Sequence, residues 1–366
     1  MRRFYIRVVL VAVASTGLFN QGNFAACGAE TLSKRTKPTI KNKPSKVNPA
    51  TEGSANTAQK ARSGEKSRSK PSKGSDTVAT LSPLEKANSI FTAELKKFVS
   101  NGLVNYTAWK KDSKGLDDYL SELQKFSKAD YDRFSSDEKL TFWINAYNAY
   151  TIKLALDHYP IKGTKTYYPT SSIRQIEGFW EENRIELAGR KVTLEGMEHD
   201  ILRRDFQEPR IHFAVVPAAK GCGKLRDEAY GVKGLNEVLE QNTIDFLANP
   251  KNVRFDKEKS LIYVSQLFKW FPLDFASAVG LGKRFPPPTD DEIVAAYVLM
   301  KAPDAVQNNL SENGNKKFKV VYREYDWSLN DTAAQPAQKV DEEPVKPKAE
   351  QSEEPPTVPS KEAPAK

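Results

Sequence analysis

Cys222 is the residue whose type and setting most invite chemistry. It lies in Lys220-Gly221-Cys222-Gly223-Lys224, with Arg226 close behind. Neighbouring cations favour the thiolate, the reactive form of cysteine. The two glycines let a backbone approach a ligand closely and aim N–H groups at it. His212 precedes Cys222 by ten positions, in a stretch rich in β-branched and apolar residues. An imidazole on a strand and a thiol on the following loop would form a thiol–imidazole pair for acyl transfer or amide hydrolysis. His199, with Glu198 before it and Asp200 after it, is a second candidate for the base or its orienting group, and Glu198 completes the candidate catalytic set. An inert reading stands beside this one, because free cysteines are among the most buried residue types and a histidine between Ile211 and Phe213 is commonly a satisfied core residue. His158, His199, His212 and Cys222 lack the short paired spacings of zinc ligands, so no metal is expected. No GxGxxG or GxxxxGK[ST] loop is present, and no cofactor is expected.

A second set of polar residues sits inside an apolar run. Glu138, Thr141, Asn145, Asn148 and Thr151 fall along one helical stripe, and the rest of that helix is dense with aromatic and aliphatic side chains. A water-facing row would favour Lys and Glu, so the stripe reads as buried, with its two amides holding a neighbouring loop. Asn145, Asn148, Lys220 and Lys224 are the candidate binding residues. Trp180, Trp270 and Phe271 read as core in preference to the lining of a sugar- or peptide-binding cleft.

These residues need elements to position them. Apolar spacing predicts helices over 83–99 and 116–126, with a short strand over 104–109 between them. Ser135 and Glu138 form a capping box that opens a helix to about His158, before Pro160. Residues 184–187 and 191–193 flank Ala188-Gly189 as a hairpin, and Thr193 caps a helix to about Arg204. A strand is expected over 210–216, a helix over 234–247, a strand pair over 253–255 and 261–267, a capped helix over 289–300 and a last strand over 317–325. Early helices with strands mostly in hairpins favour α+β: a single domain with a mixed, mainly antiparallel sheet and several packed helices.

The charge is uneven. The whole chain carries +9, but residues 1–29 hold +3, residues 30–78 hold +8, and residues 331–366 hold −3, so the middle is near neutral. A nucleic-acid-binding fold would carry its positive charge on the folded part, and none is expected here. All five tryptophans lie between Trp109 and Trp327. The expected organisation is a signal peptide over 1–29, a basic disordered linker over 30–79, the α+β domain over 80–331 and an acidic Pro-rich disordered tail over 332–366. Arg2 and Arg3 precede a short apolar run that ends in small residues, the pattern of a secretory signal and too short to span a bilayer. Ala25-Ala26-Cys27 also admits a lipid anchor at Cys27, but Phe24 and the polar residues before it favour ordinary cleavage. Residues 31–78 could dock on anionic lipid or cell-wall polymer or act only as a spacer. Oligomeric state is not legible.

Four stretches together resemble a known family: Phe142-Trp143-Ile144-Asn145-Ala146-Tyr147-Asn148; Thr193-Leu194-Glu195-Gly196-Met197-Glu198-His199; Pro209-Arg210-Ile211-His212-Phe213-Ala214 continuing to Gly221-Cys222; and Tyr325-Asp326-Trp327-Ser328-Leu329-Asn330. In this order they resemble the DUF547 domain, an uncharacterised family of bacterial exported proteins and plants, over about residues 85–331. The resemblance implies a single exported domain and supplies no reaction. It also implies a cysteine where this chain has Pro217, and Ser-Cys-Pro where it has Gly221-Cys222-Gly223, so roles needing two cysteines do not transfer. The sequence therefore leaves two functions open, with a slight preference for the first: a cell-envelope binding or scaffold module, or a Cys222-dependent hydrolase or acyl-transfer enzyme.

Overall fold

The structure is a computed structural model that describes residues 81–302 and 318–333. The expected signal peptide with Cys27, the basic linker and the tail beyond residue 333 lie outside the described residues. Its α-helices are α1 (Pro83–Phe98), α2 (Tyr106–Lys111), α3 (Lys114–Gln124), α4 (Lys128–Arg133), α5 (Ser136–His158), α6 (Arg204–Phe206), α7 (Leu235–Ala248), α8 (Leu267–Trp270) and α9 (Asp290–Lys301). α1, α4, α5 and α9 each open with a reciprocal cap, from Ser82/Glu85, Ser127/Asp130, Ser135/Glu138 and Thr289/Glu292. In each, the hydroxyl accepts the third backbone N–H and the acid accepts the capping residue's own N–H, which stabilises a helix start by about 1 kcal/mol.

The strands are β1 (Val99–Ser100), β2 (Leu103–Val104), β3 (Ile185–Leu187), β4 (Arg190–Val192), β5 (Val253–Asp256), β6 (Leu261–Ser265) and β7 (Lys319–Arg323). β1–β2 and β3–β4 are short antiparallel hairpins. β6 pairs antiparallel with β5 (Val253 opposite Val264) and parallel with β7 (Leu261 opposite Lys319), which makes a mixed sheet. The fold is α+β, but its strands form three small sheets rather than one.

Sequence pattern and structure part in three places. The strand expected over 104–109 stops at Val104, because the Asn105 side chain accepts the Ala108 N–H and starts α2. The strand expected over 210–216 is a 3-10 turn, Pro209–Phe213, started by the fixed φ of Pro209 and by Glu208, whose carboxylate accepts the Arg210 N–H. Local capping outweighed β propensity there. The helix after Thr193 is capped as expected, but Gly196–Arg203 winds as a π-helix, a rare form that concentrates at functional sites.

α5 is buried around most of its circumference, and α1, α2, α3 and the π-helix pack on it. Two apolar clusters fill the described residues, which belong to one compact unit. The first surrounds α5. The second lies under β5–β7 with Phe268, Phe275 and Tyr297. Tyr325 packs against both. The segment after β7 ties distant parts together: Val104 N–H donates to the Asn330 carbonyl at 2.8 Å, Tyr106 Oη–H to Asn330 Oδ1 at 2.8 Å, and Gly221 N–H to the Asp326 carbonyl at 2.9 Å. No described helix is long and apolar enough to cross a membrane.

Candidate functional site

Where the two clusters meet there is a cavity of about 250 Å³. Glu198, His199, His212 and Cys222 all line it, so the structure gathers the four candidate catalytic residues around one space. The π-helix brings Glu198 and His199, the 3-10 turn brings His212, and the glycine loop brings Cys222. A second 3-10 turn, Pro272–Phe275, adds Asp274 behind His212.

Asp274 organises the charged part of the site. Its Oδ2 accepts the Nε2–H of the buried His212 ring at 2.7 Å. The same carboxylate takes a two-point contact from Arg203, Nε to Oδ2 at 2.6 Å and Nη2 to Oδ1 at 3.0 Å. Burial alone would raise the Asp274 carboxyl, but its bonds to His212 and Arg203 outweigh that and hold it well below the usual carboxylate range. A guanidinium only donates, so the Arg203 Nη1 contact at 3.0 Å makes His199 Nδ1 an acceptor and leaves the His199 proton on Nε2. Burial, with Arg203 and His212 nearby, pushes the His199 pKa down against the opposing pull of Glu198 and Asp274. Phe271 supports the arrangement: the His212 ring stacks on it with centroids 4.5 Å apart, and the Arg203 guanidinium lies 4.4 Å from its centroid.

Glu198 accepts the Tyr147 Oη–H at 3.1 Å. Burial pushes the Tyr147 phenol well up, so it keeps that proton. Glu195 also lines the cavity, and burial together with Glu181, Asp200 and Glu198 raises its pKa.

Cys222 corrects one expectation. Its thiol is buried and donates to the Ala219 carbonyl at 2.6 Å, and burial pushes its pKa up to about 12. Lys220 and Lys224 are exposed, do not line the cavity and do not make a thiolate. The glycines beside it serve the chain's own packing. A Cβ on Gly223 would lie 2.2 Å from the Phe213 carbonyl oxygen, and one on Gly221 2.8 Å from the Asp326 nitrogen. Cys222 in a Cys27→Ser chain is therefore expected to react with a disulfide reagent at pH 8 far more slowly than free cysteine and to become fully reactive in urea. Native labelling as fast as free cysteine would show the thiol to be open and activated.

Asn145 and Asn148 are buried and do not face the cavity. Asn145 Oδ1 accepts the Tyr230 N–H at 2.8 Å, and its Nδ2 donates to the Tyr230 carbonyl at 2.8 Å. Asn148 does the same across a gap, donating to the Ala214 carbonyl at 3.0 Å and accepting from the Val216 N–H at 2.8 Å. Their binding role is to hold loops of the chain itself.

Sequence reasoning missed Asp274, Arg203, Arg174 and Tyr147. Asp274 had one readable signal, a lone carboxylate inside the aromatic run from Trp270 to Phe275. Trp180, Trp270 and Phe271 are packed in the clusters and also line the cavity, together with Tyr325 and Trp327. Among the described residues, no group of three or more His, Cys, Asp or Glu is arranged to hold a metal ion.

Residues 131–247 match the family model described as a protein of unknown function, DUF547. This stretch carries a DUF547 domain. The matched span is narrower than the 85–331 implied by the motifs. It contains Tyr147, Glu198, His199, Arg203, His212 and Cys222, but not Asp274 or the cavity aromatics Trp270, Tyr325 and Trp327. No curated protein and no solved structure matches the chain.

Proposed function

We propose that the DUF547 domain of this chain is a hydrolase or acyl-transfer enzyme whose active site is the aromatic-lined cavity, with His212 as general base. The observation that carries this is the buried His212 ring on the cavity wall, held from behind by the partly exposed Asp274 carboxylate. With Nε2–H committed to Asp274, only Nδ1 remains on the ring to accept a proton. It would take the proton of a water as the water oxygen bonds to a substrate carbonyl carbon. The imidazolium, stabilised by Asp274, would then return that proton to the leaving group as its bond to the carbonyl carbon breaks. A site that only bound a polymer would have no use for an imidazole oriented by a carboxylate. This is why the enzyme reading now stands ahead of the scaffold reading that the sequence slightly favoured.

A second version has one observation in its favour: Cys222 shares the cavity with His212. In it the thiol leaves Ala219, passes its proton to a histidine and bonds to the carbonyl carbon. The histidine returns that proton to the leaving group as its bond breaks, and water then cleaves the thioester, releasing the acid and restoring the thiol. Export to the cell envelope belongs to the same proposal, supported by Arg2, Arg3 and the apolar run that follows.

The test is turnover of a panel of p-nitrophenyl esters and p-nitroanilides. His212→Asn is expected to lower kcat/KM by about 10²-fold or more, in line with the worth of a positioned base. Turnover that survives this change undiminished would overturn the proposal. Cys222→Ala separates the two versions: activity retained assigns the attack to water, and activity abolished assigns it to the thiol.

A further inference from the structure

Arg174 stands out among the cavity residues because no described acid lies within ion-pair distance of it. Among the described arginines, Arg203 pairs with Asp274, Arg210 with Glu208 and Arg284 with Glu292. Arg174 has no described carboxylate within ion-pair distance. Its backbone is fixed on a 3-10 turn, Ile173–Gln175, whose start is capped by the Ser172 hydroxyl. Its guanidinium carbon lies 5.0 Å from the Tyr168 ring centroid, 5.6 Å from Trp180 and 5.0 Å from Trp327. Nη2 donates to the Tyr168 hydroxyl at 2.9 Å. These rings hold the cation in place by cation–π attraction and cover part of it. They do not supply an acceptor for Nε or Nη1. A half-buried guanidinium on a cavity wall, held rigid and lacking a counter-charge, is built to receive an anion.

We infer that Arg174 is the carboxylate-recognition residue of this cavity, so that the substrate is an acyl compound bearing a free carboxylate. That carboxylate sits on the Arg174 guanidinium while the apolar body lies among Trp180, Trp270 and Trp327. The inference rests on reading the cavity as the active site and narrows its substrate class. Glu195 and Glu198 line the same cavity and repel a second negative group, which restricts the substrate to one anionic end.

The test is direct binding and needs no turnover. Benzoate, its neutral isostere benzamide and phenyl phosphate are titrated against the full chain, with quenching of tryptophan fluorescence as the readout. Benzoate is expected to bind at least tenfold more tightly than benzamide. Arg174→Gln should abolish that preference and Arg174→Lys should restore part of it. Equal affinity for benzoate and benzamide, no saturable quenching by benzoate, or a preference that survives Arg174→Gln overturns the inference. So does phenyl phosphate binding tenfold more tightly than benzoate. His212→Asn should leave the benzoate preference intact. A preference without any ester turnover would therefore overturn the base while sparing the carboxylate site.

Discussion

Replacing Asn148 with alanine is expected to remove about 2–5 kcal/mol of folding stability. The side chain sits in α5 at 2 % exposure and satisfies two backbone groups of the segment that follows the His212 turn, the Ala214 carbonyl and the Val216 N–H. Truncation strands both in a dry interior, and each buried unpaired group costs about 1–3 kcal/mol. Nothing replaces them locally, because the 3-10 turn has ended and no described strand pairs with residues 214–216. Val215 and Pro217 line the cavity, so the clamp also fixes one of its walls. Urea denaturation of Asn148→Ala and wild type reads the effect. A loss below about 1 kcal/mol would mean that the segment is held by something other than this amide.

Asp274→Asn is expected to cost about 2–3 kcal/mol at pH 7, somewhat less than removing one partner of a fully buried ion pair, because the Asp274 and Arg203 side chains keep about a quarter of their exposure. Arg203 loses its charged acceptor, and His212 loses the group that fixes its tautomer. The effect has a definite pH signature. The folded-state pKa of Asp274 lies below its unfolded value, so its contribution is complete above the ordinary aspartate pKa, about 3.9, and fades as pH falls through the lower folded-state value. The stability gap between wild type and Asp274→Asn is therefore wide at neutral pH and narrows below about pH 4. A gap that stays constant down to pH 3, or no gap at pH 7, would contradict the charge assignment.

What could be read in advance follows from which interactions are local. The Ser135/Glu138 and Thr289/Glu292 caps and the Ala188-Gly189 hairpin are decided within a few residues, so pattern alone located them, whereas the equally local Ser127/Asp130 cap and the short α4 it opens went unread. The polar stripe of α5 was legible as buried because Asn and Thr are poor choices for a solvated helix face. The turn carrying His212 was misread because Ile211, Phe213 and Val215 fit a strand, while a single proline and one carboxylate before them decide otherwise. At the site, residue type alone flagged Glu198, His199, His212 and Cys222. The state of the thiol was misjudged, since proximity of Lys220 and Lys224 in sequence says nothing about the burial that governs it. Asp274 could not be paired with His212 from sequence, because 62 positions separate them and only the tertiary fold closes that distance.

The segment after β7 has a consequence for how the protein comes into being. Residues 318–333 supply Tyr325 and Trp327 to the cavity and hydrogen-bond to Gly102, Val104, Tyr106 and Gly221. A ribosome makes them after every other residue of the site, and domains organise from the N-terminal side as they emerge. The helices around α5 can therefore assemble while the pocket still lacks a wall. The cavity is completed as a late event of biosynthesis, when this strap docks across a nascent body that has been waiting for it.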